Sequence, residues 1–189
     1  MGKIIEGDVD LADLHLTELS GCNLSDVEVT GNYHCSDNNL ISLAGCPLTV
    51  DGSFYCNNND LTSLRGAPHT VGDHFYCYNN YLTSLAGCPK TVGKDFFCGV
   101  NRLTSLEGSP HTVAGGFFCN HNRLTSLAGC PKTVGGNFCC HVNPYLTSLE
   151  GIPKTIGGYF WLSDELREKF PEEYIRSMCK IAGKVRYIY

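Results

Sequence analysis

Twelve cysteines and seven histidines supply most of the side chains in this sequence that could hold a metal, form a disulfide or act as a nucleophile. Six of the cysteines, Cys35, Cys56, Cys77, Cys98, Cys119 and Cys140, recur every 21 residues. That spacing argues against chemistry. Zinc needs four ligands in a compact tetrahedron. A ladder offers one thiol per coil, about 4.8 Å apart in a line, and no Cys-x-x-Cys is present. In-register thiols on neighbouring parallel strands also give poor disulfide dihedrals. Cys46 and Cys88 are two coils apart, too far to join. Neither a metal nor any other cofactor is expected. Cys139 is the exception: strand alternation points it outward, as an accessible thiol.

The histidines offer no clearer site. His34, His121 and His141 fall on one side of the stack, but no carboxylate or nucleophile recurs beside them. There is no phosphate-binding loop, no Gly-x-Ser-x-Gly and no paired catalytic carboxylate. The expectation is a protein that is not an enzyme.

A fixed period of this length marks a stack of identical units, none able to bury its apolar face alone. With Asn32 as position one, full coils run over residues 32–52, 53–73, 74–94, 95–115 and 116–136. A sixth, 137–158, holds one extra residue near Pro144, and Tyr159-Phe-Trp-Leu162 begins a seventh. Position two is aromatic throughout (Tyr33, Phe54, Phe75, Phe96, Phe117, Phe138, Phe160), and position four is cysteine, then Leu162. Alternation puts both on one face of a short strand. The cysteines therefore act as small hydrophobes beside large rings.

Position seven is always asparagine, from Asn38 to Asn143. A stacked amide row bonds the backbone where the chain turns. Leucines follow at positions nine and twelve, then Gly-x-Pro, which forbids a long helix on that side. A valine or isoleucine (Val50 to Ile156) returns the chain inward. Position fifteen (Cys46, Ala67, Cys88, Ser109, Cys130, Ile152) and position seventeen (Leu48, His69, Lys90, His111, Lys132, Lys154) alternate in pairs of coils. We read that alternation as duplication history.

This pattern resembles the leucine-rich repeat. The family's L-x-L-x-x-N-x-L maps onto Phe117, Cys119, Asn122 and Leu124, and the likeness covers residues 32–162. It departs from the family in the aromatic and cysteine at the strand positions, and in having Gly-x-Pro instead of a convex helix. The wording L-T-S-L-x-G-x-P-x-T-V-G-G is similar to leucine-rich proteins of tailed bacteriophages. Residues 2–31 have another period, five, with apolar centres at Ile4, Val9, Leu14, Leu19, Leu24 and Val29. Small residues precede most of them by two, from Gly2 to Cys22. Ala12-Asp13-Leu14 and Cys22-Asn23-Leu24 resemble the pentapeptide repeat, whose square coil of about twenty residues would continue the stack. Together the resemblances imply a mainly β, right-handed parallel solenoid of about seven to eight coils with short strands and an irregular convex side. Three parts are expected: N-terminal cap coils over 1–31, the solenoid over 32–162, and a helical C-terminal cap over 163–189. In that cap, Ser163-Asp164-Glu165 reads as one helix start and Pro171-Glu172-Glu173 as another. Gly183 should end the second helix, and Lys184 to Tyr189 should form a short strand.

Charge is unevenly placed. The net charge is −5, and residues 1–31 carry seven acids against one base. The remaining chain holds thirteen bases and twelve acids. No basic face invites nucleic acid, and no apolar run reaches the roughly 20 residues that span a bilayer. The first ten residues lack the cationic start and apolar core of a signal peptide, so reduced thiols and a cytoplasmic location are expected.

What remains is surface. Position three points outward: His34, Tyr55, Tyr76, Phe97, Phe118, Cys139 and Trp161. Tyr78 flanks this row, and Arg102 and Arg123 lie near its edge. Outward rings over successive coils make an apolar stripe of a kind that usually has a partner, and Tyr, Trp and Arg are favoured anchors. The blander alternative is that the rings merely stabilise adjacent strands. The leading expectation is a binding solenoid whose partner is a protein. By the phage-like resemblance it would be an inhibitor of a host or defence protein. Pairing of two solenoids through the same face is also possible. A DNA mimic built on Asp10, Asp13 and Glu18 is one alternative, and a glycan or small-ligand binder using the rings as platforms is another.

Overall fold

A computed structural model describes residues 3–189. Gly2, the first small residue of the five-residue pattern, lies outside the described residues. The chain winds into a parallel β-solenoid of about nine turns, with two nine-stranded sheets running its length. One sheet, here the aromatic sheet, runs from Val9–Asp10 and Tyr33–His34 through Phe54–Tyr55 and its equivalents to Phe160–Ser163 and Val185–Ile188. The other, the threonine sheet, runs from Lys3–Ile5 and Val27–Val29 through Thr49–Val50 and its equivalents to Lys180–Ile181. Every pairing is parallel, and identical coil positions stand opposite each other: Phe54 on Phe75, Phe96 on Phe117, Thr112 on Thr133.

Most strands are only two residues long, because the chain turns immediately after them. Position six takes a left-handed conformation in each repeat: Asp37, Asn58, Asn79, Val100, His121 and Val142 have φ between 52° and 56°. Asp and Asn tolerate that region through local hydrogen bonds, whereas a β-branched valine is strained there. The second corner falls on the glycine of Gly-x-Pro. At Gly66, with φ 91°, an added Cβ would lie 2.7 Å from the Leu43 carbonyl oxygen of the preceding coil. Only glycine fits that corner without moving backbone.

The core fills the space between the sheets with stacked identical side chains. Position-two rings, position-four cysteines, the two leucine rows and the returning valines are all buried. The inner rings stack with centroids 5.2–5.8 Å apart, from Tyr33 on Phe54 to Phe117 on Phe138. The cysteine ladder belongs to the apolar interior, as alternation predicts. Burial pushes the thiol pKa of Cys35, Cys56, Cys77, Cys98, Cys119 and Cys140 well above the usual value.

Four expectations are corrected. The stack has about nine turns, not seven or eight, because both ends of the chain add strands to both sheets. The side expected to be irregular holds the threonine sheet: Thr-Val is a β-branched pair and recurs in register, so it forms a second ladder. The C-terminal segment has one α-helix, Glu172–Met178, and a 3-10 turn at Asp164–Leu166, instead of two α-helices. The helix stops at Cys179, which is extended, four residues before Gly183. It is held within the last coil, which is longer than the others: Phe160 pairs with Val185 across 25 residues. Ser163 does not cap a helix through its side chain; its hydroxyl accepts a 2.7 Å hydrogen bond from the Val142 N–H. The expected terminal strand is present as Val185–Ile188.

The fourth correction is Cys139, which is 1% exposed. It does sit on the outward row, but its strand neighbours there are Phe118 and Trp161. A small side chain between two large ones is covered by them.

The first coil differs from the rest. Val9 pairs with Tyr33 across 24 residues, where the coils that follow, from Tyr33 to Phe138, use 21. Of the five-residue centres, Leu19 and Val29 are buried, while Ile4 and Leu14 are 59% and 55% exposed. Among the described residues, no helix is long and apolar enough to cross a membrane.

Candidate interaction face

The outward row of the aromatic sheet is a continuous ring stack. His34 lies on Tyr55 at 4.1 Å between centroids, Tyr55 on Tyr76 at 4.6 Å, Tyr76 on Phe97 at 4.7 Å and Phe97 on Phe118 at 4.5 Å. Interplanar angles of 7–8° make these near-parallel stacks. Each ring is half-buried: its faces meet its neighbours and its edge meets solvent. The stack is rigid because strand register fixes each ring's spacing, so a partner meets it without the cost of ordering loose side chains.

Flanking residues extend the row sideways. Tyr78 stands edge-on to Tyr76 at 6.4 Å, and its hydroxyl accepts a 3.2 Å hydrogen bond from the Asn57 amide. On the other side, His74 tilts against Tyr76 and Phe97, and its Nδ1 is 3.2 Å from the Asp95 carboxylate. Partial burial, reinforced by Tyr55, Asp95 and Tyr78, raises the Tyr76 hydroxyl pKa. His74 flanks the row as its position predicts from the sequence; its pairing with Asp95 is the addition. Both occupy position one of adjacent coils, so the 21-residue register would have found it.

Other expected members lie elsewhere. Arg102 turns away around the corner, with its guanidinium 4.3 Å over the ring of Tyr81. Arg123 follows it one coil on and is exposed. Trp161 is half-buried and is separated from Phe118 by Cys139. Its Nε1 is buried and, among the described residues, has no hydrogen-bond partner. The structure therefore joins His34, Tyr55, Tyr76, Tyr78, Phe97 and Phe118 into one surface, and leaves Arg102, Arg123 and Trp161 outside the continuous stack.

Cys139 and His141 form the closest thiol–imidazole contact, with Sγ and Nδ1 2.8 Å apart. Such a pair is the raw material of a nucleophile. Here, however, burial pushes the Cys139 thiol up to about 12. Burial and the neighbouring His121 push the His141 imidazole down. Both shifts favour a neutral thiol beside a neutral imidazole, the reverse of the thiolate–imidazolium arrangement that attacks substrates. Among the described residues, no three His, Cys, Asp or Glu side chains are grouped to hold a metal ion.

The asparagine row supports the corner beside this face. Asn101 is representative: its Oδ1 accepts from the Leu82 N–H of the preceding coil at 3.0 Å. Its amide nitrogen donates to the carbonyls of Cys77, Cys98 and Gly99 at 3.0–3.2 Å. Asn59, Asn80, Asn122 and Asn143 repeat the Oδ1 bond. One amide thus satisfies backbone groups of two coils that water cannot reach. Every amide is committed to structure.

Comparison with known proteins adds no assignment: no family model matches the chain, and no curated protein or solved structure matches it.

Proposed function

We propose that this protein is a non-enzymatic binding solenoid of leucine-rich type that engages a protein partner through the outward aromatic stack. The observation that carries this reading is the five-ring run from His34 to Phe118, half-exposed on a rigid sheet. Ring edges over five successive coils form a surface about 20 Å long at strand spacing. Aromatic side chains give large contact area at low entropic cost, which is why they anchor interfaces. The neutral state of the Cys139–His141 pair and the structural commitment of the position-seven asparagine amides favour binding over catalysis.

The finer reading follows the resemblances. A phage-encoded inhibitor of a host or defence protein, acting in the host cytoplasm, fits a small solenoid with one aromatic surface. The acidic DNA-mimic alternative is weaker, because the acids of residues 3–31 are gathered in one coil about 5 Å deep. Duplex DNA carries one charge per 1.7 Å over a long axis.

The test is a comparison of tagged wild-type protein with the Tyr76→Ser/Phe97→Ser/Phe118→Ser variant. Both are checked for folding by circular dichroism, and the proteins each retains from bacterial lysate are quantified by mass spectrometry. A partner retained by the wild type and lost by the folded variant supports the reading. An identical set on both rejects it.

A further inference from the structure

The threonine sheet carries a second surface, of different chemistry. Position seventeen, one residue before each outward threonine, is His69, Lys90, His111, Lys132 and Lys154 in successive coils, and all five are exposed. The backbone ladder keeps them in line: the Lys90 N–H donates to the His69 carbonyl at 3.1 Å, Lys132 to His111 at 3.0 Å and Lys154 to Lys132 at 2.9 Å. The line ends there: in the next strand Lys180 stands opposite Thr155, in register with the threonine row. At one group per coil, five cationic or imidazole side chains lie within about 20 Å. Among the described residues, none of these four lysines has a carboxylate within ion-pair distance. Within the row, Lys132 and Lys154 stand on adjacent strands, where like charges repel, so an anion is favoured at that end.

Beside this row runs a groove of about 750 Å³ that crosses three coils. Its apolar floor includes Pro68, Pro89 and Pro110, all buried, and Arg65 closes one end. The exposed hydroxyls of Thr70, Thr91, Thr112 and Thr133 line the other side of the cationic row. Glu107 and Glu150 occupy position thirteen, as Arg65 does, and are exposed.

We propose that this lane is a docking track for an extended acidic peptide of a partner protein. The peptide's aliphatic or prolyl side chains lie in the proline-floored groove beside Lys90, and its carboxylates lie on Lys90 and, beyond the groove's end, on Lys132 and Lys154. Charge complementarity selects the anion, and the apolar floor selects a peptide over a nucleic acid. Single-stranded nucleic acid is held by bases stacking on large aromatic rings, and the lane contains no Phe, Tyr or Trp. A second copy of this face is a poor occupant, because antiparallel apposition sets lysines and histidines against one another. The proposal stands independently of the aromatic face, which lies on the other sheet.

The experiment is fluorescence anisotropy of a fluorescein-labelled (Glu-Leu-Glu-Pro)3 dodecapeptide against the full chain at low and physiological salt. Parallel titrations use (Lys-Leu-Lys-Pro)3 and a twelve-nucleotide oligothymidine. Saturable binding of the acidic peptide alone is expected. It should weaken at least tenfold in Lys90→Glu/Lys132→Glu/Lys154→Glu and less in the corresponding triple Gln variant, and should not change in Phe97→Ser. The proposal is overturned if the acidic peptide does not bind, if the folded Glu variant binds it equally well, or if the oligothymidine binds more tightly.

Discussion

The aromatic sheet carries two ring rows on alternate residues of the same strands, and they behave differently. Inner rings such as Phe75, Phe96 and Phe117 are fully buried, with centroids 5.2 Å apart. Outer rings one residue on, Tyr76, Phe97 and Phe118, are half-exposed, and their centroids are 4.5–4.7 Å apart. Pure translation by one coil would give both rows the strand spacing of about 4.8 Å. Divergence inside and convergence outside are what a sheet bending toward its outer surface produces. The bend closes the outer rings into a compact stack, while the inner rings interleave with leucine and cysteine. One row is held by loss of water on all sides, the other mainly by its neighbours.

The largest expected difference between the rows is their response to alkali. Six core thiols are held neutral by burial, far above the usual value near 9. The sign follows from proton linkage. Below about pH 9 the thiols are protonated whether the chain is folded or not. Above it, only the unfolded chain releases its protons, so stability falls as pH rises. Each thiol contributes about 1.4 kcal/mol per pH unit, so six contribute about 8 kcal/mol per unit. That is comparable to the whole stability of a typical domain. Circular dichroism against pH should therefore show unfolding near pH 10, unchanged in outer-row variants. A fold intact at pH 11 would contradict the buried cysteine ladder.

The next difference is mutational. Phe96→Ala leaves a cavity in the core and should cost about 3–5 kcal/mol in urea unfolding. Phe97→Ala, one residue away, removes stacking on two half-exposed neighbours and should cost about 1–2 kcal/mol. Equal costs would mean that the outer row is structural and would weaken its assignment as a binding surface.

The smallest difference concerns single hydroxyls. Tyr33 occupies the inner row, and its hydroxyl is buried without a partner among the described residues. Tyr33→Phe should therefore raise stability by about 1 kcal/mol, since an unmade buried hydrogen bond is a penalty. Tyr55→Phe, in the outer row, should leave the melting temperature within a degree or two. A loss of stability in Tyr33→Phe would show that its hydroxyl has a partner, such as water.

Much of this arrangement was legible in the repeat. A period of 21 placed each phenylalanine and cysteine inward, each position-three ring outward and each asparagine at a corner, because identical residues in identical coils meet identical surroundings. The single exception to inward and outward, Cys139, shows where that logic stops. Alternation assigns a direction, but burial depends on the size of neighbours a coil away, and Phe118 and Trp161 close over a small thiol. The ends were less readable for the same reason. Residues 3–31 and 163–189 lack the 21-residue wording: their pattern suggested a continuing coil and a terminal strand, but not that each end would add a strand to both sheets. Arg102 appeared to edge the aromatic row, but the left-handed residue at Val100 turns the chain before it, and its guanidinium finds Tyr81 instead.

Composition and period alone determine that the chain is a stack of coils with a phenylalanine–cysteine interior, because a repeated pattern has only one way to bury every copy of its apolar face. Tertiary structure decides what the stack presents outside. Sheet curvature closes the outer rings together, and the second sheet aligns lysines and histidines that are twenty-one residues apart. It also settles the protonation of the thiols, since a pKa answers to the water removed around a group and not to the residues beside it in the chain.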